Sequence, residues 1–317
     1  MSTNGTKAKT IRKILSAKIK DWADTIEDKA VRDMVLRDTI VTGGSIASLF
    51  LGEMIKDFDI YFRNIETTRA VSHYYVNKFV ALYPGRGGYN PEVKEWTDPN
   101  GEDRVTIFVS SDGVAVGEET DDTDNIFGDS NDQYLKDIEA DILGKQLKEP
   151  GDLVEKPKYR PVFMSANAIT LSDKVQLVIR FHGSPEEIHK NFDFTHAKCW
   201  YDHGDNTLHT PELALQCLLS RTLHYSGSLY PICSIFRAKK FIERGWKISA
   251  GELLKMAWQV NGLNLTDMRV VREQLTGVDA TYLHMVCKAL ETWQDANPDD
   301  DLSSNYVVSI IDKVFGV

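Results

Sequence analysis

A chain of 317 residues suggests roughly two domains at about 150 residues each. Its composition, 42% hydrophobic and 10% aromatic, excludes a wholly disordered or fibrous protein. The net charge of −10 comes from 37 basic and 47 acidic side chains. Ten of the acids, against one lysine, lie between Glu118 and Asp141. The rest of the chain is therefore close to neutral, and the overall acidity does not exclude a nucleic-acid partner.

Apolar stretches such as Ser45–Leu51 are far shorter than the ~18–20 residues a membrane span needs. The basic N-terminus lacks the continuous apolar core of a secretory signal. Cys199, Cys217, Cys233 and Cys287 form no CxxC pair, which reads as reduced thiols. A cytoplasmic protein without membrane contact is expected.

In chain order, residues 10–36 read as one or two amphipathic helices, with Ile11, Ile14, Leu15, Ile19 and Trp22 at helical spacing. The basic residues Lys7 to Lys20 lie on the same stretch; a helix docked on the body is favoured over an RNA arm. A short β-branched strand, Thr39–Thr42, leads into Gly43-Gly44, an apolar helical stretch and the alternating run Asp57–Phe62. A helix from about Glu66 to Leu82 follows. Residues 83–166 read as an insertion, the least ordered part of the chain, with a hairpin (Arg104–Ser110, Val114–Gly117) and the acidic run 118–141.

Ala168–Leu171 and Val175–Phe181 predict a hairpin in the core sheet, Ser184-Pro185-Glu186 opens a helix, and Asp193–Tyr201 predicts another strand. From Thr210 onward the pattern is helical: Pro211–Tyr225, Ile232–Arg244, Ala250–Val260, then segments from Thr266 to Phe315, with Ser249 and Thr266 as N-caps. The fold class expected is α+β: a helical segment 1–36, a mixed-sheet head 37–205 carrying the insertion, and a helical neck or body 206–317.

The chemistry concentrates in VTGGSIASLFLGEMIKDFDIYF. Residues i and i+2 of a strand face the same way, so Asp57 and Asp59 present two hard oxygen ligands suited to Mg²⁺. Glycines before a helix let backbone N–H groups approach phosphate, and the helix N-terminus favours negative charge. Ser45 adds a hydroxyl. Together these parts fit a metal-bound nucleoside triphosphate whose attack by a hydroxyl releases pyrophosphate. His189, His196, Cys199 and His203 are close in sequence, but their spacing fits no common zinc pattern.

Three segments resemble the class II tRNA nucleotidyltransferases and bacterial poly(A) polymerases of the DNA polymerase β-like superfamily. GGSIASLFLGEMIKDFDI is similar to the GGxVRDxLLGxxxxDxDI signature, FDFTHAKCWYD to RRDFTxNALAYD, and FRAKKFIERGWKI to LRAxRFAxxxGFxI. The resemblance spans residues 39 to about 248, without the insertion. It implies a polymerase β-like nucleotidyltransferase head, with metal on Asp57 and Asp59 and triphosphate contacts at Gly43, Gly44 and Ser45. It also implies nucleotide contacts from Asp193, Thr195, Arg237 and Lys240. The implied cofactor is Mg²⁺, with Mn²⁺ as a substitute. The implied substrate is an NTP, and the implied acceptor an RNA 3′ end, a tRNA-like end among the candidates.

The departures are specific. The signature's Arg-Asp is Ala47-Ser48 here, the arginines before DFT are Asn191-Phe192, and the following Asn is Ala197. A family carboxylate falls at or near Gln176, which puts a third metal ligand in question. The Glu-Asp-x-x-Arg element that selects C and A in CCA-adding enzymes is replaced by Tyr230–Phe236, so faithful CCA addition is not implied. The acceptor can alternatively be a protein or small-molecule hydroxyl, and a catalytically silent RNA-binding, nucleotide-binding or assembly protein is the rival from another class.

Overall fold

The computed structural model describes residues 5–82, 90–98, 101–110 and 157–265, with single positions beyond. The acidic run, Val114–Gly117 and the helices expected from Thr266 onward lie outside the described residues, apart from those single positions.

Two helices open the chain. In α1 (Ala8–Ala23) Ile11, Leu15, Ile19 and Trp22 form a buried stripe, while Ile14, expected in it, is exposed. Asp28 caps α2 (Lys29–Asp38) by accepting from the backbone N–H groups of Ala30 and Val31. There follow β1 (Thr39–Thr42), α3 (Gly44–Leu51), β2 (Phe58–Phe62) and α4 (Ile65–Leu82). Trp22 Nε1 donates to the Tyr75 hydroxyl of α4 at 2.7 Å, and both side chains are wholly buried. Removing Tyr75 leaves the buried Trp22 indole N–H without this acceptor, whereas the Tyr75 hydroxyl also has Thr25 beside it.

The central sheet has seven strands in the order β5-β6-β7-β2-β1-β8-β9. Its members include β5 (Pro161–Met164), β6 (Ala168–Leu171), β7 (Val175–His182), β8 (Trp200–Asp202) and β9 (Thr207–His209). All neighbours are antiparallel except β2 and β7, which pair in parallel with Asp59 opposite Gln176. The β6–β7 hairpin is the one expected. Phe58 turns toward α1, where Lys18 Nζ lies 5.4 Å from its ring, so strand alternation sends Asp59 to the opposite face.

A helix α5 (Pro185–His189) precedes β8 and carries a capping box between Ser184 and Glu187. After β9 come α6 (Glu212–Ser220), β10 (Thr222–Leu223), α7 (Pro231–Glu243), β11 (Lys247–Ile248) and α8 (Ala250–Asn261). Ser249 caps α8, accepting from the Glu252 N–H.

Two local expectations change, and one strand is added. β4 (Asp103–Ser110) pairs antiparallel with β3 (Asn90–Thr97), which precedes it; the expected partner Val114–Gly117 lies outside the described residues. Gly101 takes φ 81° and donates to the Asp98 carbonyl. The segment from Asp193 to Tyr201 is not one strand: Phe194 makes an isolated bridge to Tyr225, Thr195–Ala197 forms a 3₁₀ turn, and only Trp200 starts β8. The helix expected to run to Tyr225 stops at Ser220, because Arg221 takes φ 50° and Thr222–Leu223 pair in parallel with Lys247–Ile248.

The chain forms two compact units, residues 1–190 with 196–218, and 191–195 with 219–317. The first holds the seven-stranded sheet and the N-terminal helices. The second, helical in α7 and α8, also carries the β10–β11 pair. Cys199, Cys217 and Cys233 are buried free thiols. Among the described residues, no helix is long and apolar enough to cross a membrane.

Candidate active site

Gly43 ends β1 and caps α3 with φ 96° and ψ −152°, a conformation open to glycine and costly for residues with a side chain. A Cβ built there would stand 3.1 Å from Asp59 Oδ2. The glycine turn and the second aspartate, sixteen residues apart in sequence, are thus in direct juxtaposition. Gly44 differs: a Cβ there would meet nothing within 4 Å. The N-terminus of α3 has no side-chain cap, so its first amides are donors without a capping side chain. Ser45 is 3% exposed and its hydroxyl makes no hydrogen bond among the described residues.

Asp57 is exposed and Asp59 partly exposed, on either side of buried Phe58. Asp59 stands opposite Gln176 of β7, so the carboxylate position questioned from the sequence is filled by a neutral amide next to the second aspartate. No group of three or more His, Cys, Asp or Glu side chains suited to a metal occurs among the described residues. Two carboxylates suit Mg²⁺, which usually takes one or two protein carboxylates and completes its octahedron with water and substrate phosphate. Ala47, where the resembled signature has arginine, is 7% exposed and part of the packed face of α3.

Sequence reasoning missed the support behind this turn. Thr42 Oγ1 donates to the Cys199 carbonyl at 2.9 Å and lies 2.8 Å from His189 Nε2. With the hydroxyl proton on the carbonyl, Nε2 of His189 carries the ring proton and donates to Thr42. Gly43 N–H donates to the Ala197 carbonyl at 3.1 Å. Burial, assisted by the Lys198 charge and opposed by Glu186, pushes His189 down to about 4. Burial alone pushes the Cys199 thiol up to about 12, so it is no nucleophile. Only the antiparallel register, with Thr42 opposite Trp200, brings these residues together; their sequence spacing carries no such signal.

The remaining candidates belong to the second unit. Arg237 Nη1 donates to Asp193 Oδ2 at 2.6 Å. Ser226 N–H donates to the Asp193 carbonyl at 2.7 Å. Thr195 Oγ1 lies 2.9 Å from His224 Nδ1 and 3.1 Å from Ser226 Oγ. Phe194 packs against Tyr225 and Phe241. Asp193, Thr195 and Arg237 are therefore assembled with one another, while Lys240 is exposed on α7. In the region where CCA-adding enzymes carry their base-reading pair, Cys233 and Ser234 are buried at 1% and 0% exposure.

A glycine turn thus enters a helix beside a strand carboxylate in an α+β fold built on a mixed sheet. The chain belongs to the Gabija anti-defense 2 family, whose model matches residues 13–221, more than half its length. Among solved structures it is similar to the Thermotoga maritima CCA-adding enzyme complexed with tRNA, at 11% identity and a TM-score of 0.37, covering 90% of this chain and 57% of that one. It is also similar to a tRNA-processing enzyme in an apo form, at 13% identity and a TM-score of 0.37, covering 93% and 70%. The Bacillus stearothermophilus CCA-adding enzyme in complex with CTP gives 13% identity and a TM-score of 0.31, covering 83% and 51%. The chain thus spans little more than half the length of the two CCA-adding enzymes. No curated protein matches it.

Two outcomes follow. Gly43→Ala forces a strained φ and displaces Asp59, and is expected to lower stability by about 1–3 kcal/mol. Gly44→Ala is expected to stay within about 0.5 kcal/mol of the parent. Urea unfolding of both variants checks the contrast, and equal losses would contradict it. For His189, the folded value lies below the ordinary 6.5, so its contribution is complete above pH 6.5 and lost as pH falls toward 4. The loss is up to about 3 kcal/mol. His189→Gln, which keeps a donor for Thr42, is expected to flatten stability between pH 6.5 and 4; an unchanged slope would contradict the assignment.

Proposed function

We propose that the protein is a metal-dependent nucleotidyltransferase, moving a nucleoside monophosphate from an NTP to an acceptor hydroxyl with release of pyrophosphate. The observation that carries this reading is the contact distance between the Gly43 position and the Asp59 carboxylate, with Asp57 two residues earlier, exposed and just ahead of β2. Asp57 and Asp59 hold Mg²⁺ or Mn²⁺, which when bound would acidify the attacking hydroxyl and offset charge on the triphosphate. The amides of Gly44 and Ser45 donate to phosphate oxygens, and the open space at Gly44 admits them to close range. The acceptor oxygen bonds to the α-phosphorus as the bond to the pyrophosphate oxygen breaks.

An RNA 3′ end is the favoured acceptor, by the resemblance of the three sequence motifs. The missing base-reading pair favours an activity other than CCA addition. The family's name sets this chemistry against a defence system, Gabija, so acceptors are best sought in cells that carry it. Gln176 beside Asp59 favours a second reading, capture of nucleotide or RNA without transfer.

Purified protein, Mg²⁺ and each labelled NTP in turn, added to RNA and protein from such cells, separate these readings. Aspartate-dependent label in RNA is the expected result, and the Asp57→Ala/Asp59→Ala double variant is expected to lose it by at least about a hundredfold. Label in protein would move the acceptor. No label with any NTP would leave capture without transfer.

A further inference from the structure

Asp57 stands just outside the sheet. Residues 53–57 lie in neither helix nor strand, and the parallel register with β7 begins at Phe58, opposite Val175. Strand pairing therefore fixes Asp59, while the placing of Asp57 falls to the chain on either side of it.

That chain is held from the β6–β7 turn by one residue. Lys174 accepts the Phe58 N–H on its backbone carbonyl at 2.8 Å, and its ammonium donates to the Ile55 carbonyl at 3.1 Å. The two gripped positions are three residues apart, with Asp57 between them. The backbone bond secures only the Phe58 side, and the lysine side chain closes the grip on the other.

The turn's own conformation does not call for a lysine. Asp173 and Lys174 take φ 62° and 61°, left-handed values that glycine adopts freely and that residues with a side chain adopt under strain. Lys174 is thus a strained choice whose side chain makes a contact that glycine could not make.

The base of the grip is itself braced. Lys18 of α1 donates to the Asp173 carbonyl at 2.6 Å, and its Nζ lies 4.7 Å from the centre of the Tyr159 ring and 5.4 Å from that of Phe58. The Asp173 carboxylate accepts from the Tyr159 N–H at 3.2 Å and from the Ser172 hydroxyl at 3.0 Å. The turn is therefore anchored to α1 and to the start of β5, and it can transmit a constraint to residues 55–58.

We propose that Lys174 is a positioning residue for the metal site, holding Asp57 beside Asp59 through the Ile55 carbonyl. The inference rests on the metal-dependent transferase reading and deepens it. Charge and position predict opposite signs here. The Ile55 carbonyl is two residues from Asp57, a span of at most about 7 Å, so the ammonium by its charge alone repels a cation bound at the aspartates. Deleting that charge would tighten metal binding, whereas deleting a positioning contact weakens it.

Mn²⁺ binding to the full chain, followed by electron paramagnetic resonance, is compared for wild type, Lys174→Met, Lys174→Gly and Lys174→Arg. Trypsin cleavage after the exposed Lys56, read by mass spectrometry, reports the grip without any metal, and urea unfolding confirms that each variant folds. Lys174→Met keeps the strained turn and loses the ammonium; it is expected to bind Mn²⁺ at least about threefold more weakly and to be cut at Lys56 at least about threefold faster. Lys174→Gly is expected to show both effects with a urea midpoint no lower than that of Lys174→Met, because its turn is unstrained. Lys174→Arg, which keeps a cationic donor, is expected to restore both. Mn²⁺ binding equal to or tighter than wild type in the Met and Gly variants overturns the proposal, as does unchanged cleavage at Lys56. Weakening shared by Lys174→Arg assigns the effect to the turn rather than the ammonium and also overturns it. A wild type whose Mn²⁺ binding is the same in Asp57→Ala/Asp59→Ala refutes the metal reading and the role toward metal with it, and faster Lys56 cleavage in Lys174→Met would then show that the grip itself is real.

Discussion

The close approach of the Gly43 backbone to the Asp59 carboxylate is the constraint on which the rest of the site depends. At 3.1 Å from a built Cβ to Asp59 Oδ2, only a glycine in its mirror-β conformation lets β1 turn into α3 at this point. The turn is fixed from behind by Thr42, which is tied to His189 and the Cys199 carbonyl, and by the Gly43 amide on Ala197. A neutral, buried histidine is well suited to this support, since it donates one directed hydrogen bond without adding positive charge beside the strand.

The sheet around Asp59 explains why the chemistry is spare. The parallel β2–β7 pairing places Gln176 where a third carboxylate would complete a metal-binding trio, and α3 buries Ala47 where the resembled signature has an arginine. In the second unit, Arg237 is held by Asp193, and small side chains are buried where a base-reading pair would project. The glycine turn and strand aspartate of the resembled signature are thus present while the groups that choose among bases in CCA-adding enzymes are replaced. That pattern fits a transferase whose selectivity comes from how the acceptor is held.

Much of this was legible in the sequence because it is local. The buried residues of the stripe from Ile11 to Trp22, the helix opened at Ser184-Pro185-Glu186, the Gly43-Gly44 turn and the alternation from Phe58 onward are each set by neighbours within a few residues. Non-local pairing was not. The tie of Thr42 to His189 and to the Cys199 carbonyl comes from contacts across more than a hundred residues of chain, whereas the position of Gln176 was reached only through the motif resemblance. The stretch from Asp193 to Tyr201 read as one strand because its composition suits one, but Phe194 bridges Tyr225 and Thr195 bonds His224 and Ser226, which bends it away. Arg221, at a left-handed φ, ends α6 with no glycine to announce it.

The central claim, that Asp57 and Asp59 with the Gly43 turn make one metal–nucleotide site, is tested most directly by Mn²⁺ binding. Electron paramagnetic resonance would follow free Mn²⁺ during titration of the full chain, with and without a non-hydrolysable ATP analogue. The account expects wild type to bind Mn²⁺ more tightly with the analogue present, and Asp57→Ala/Asp59→Ala to lose both the binding and the enhancement. Mn²⁺ binding that is the same in wild type and the double variant would contradict it.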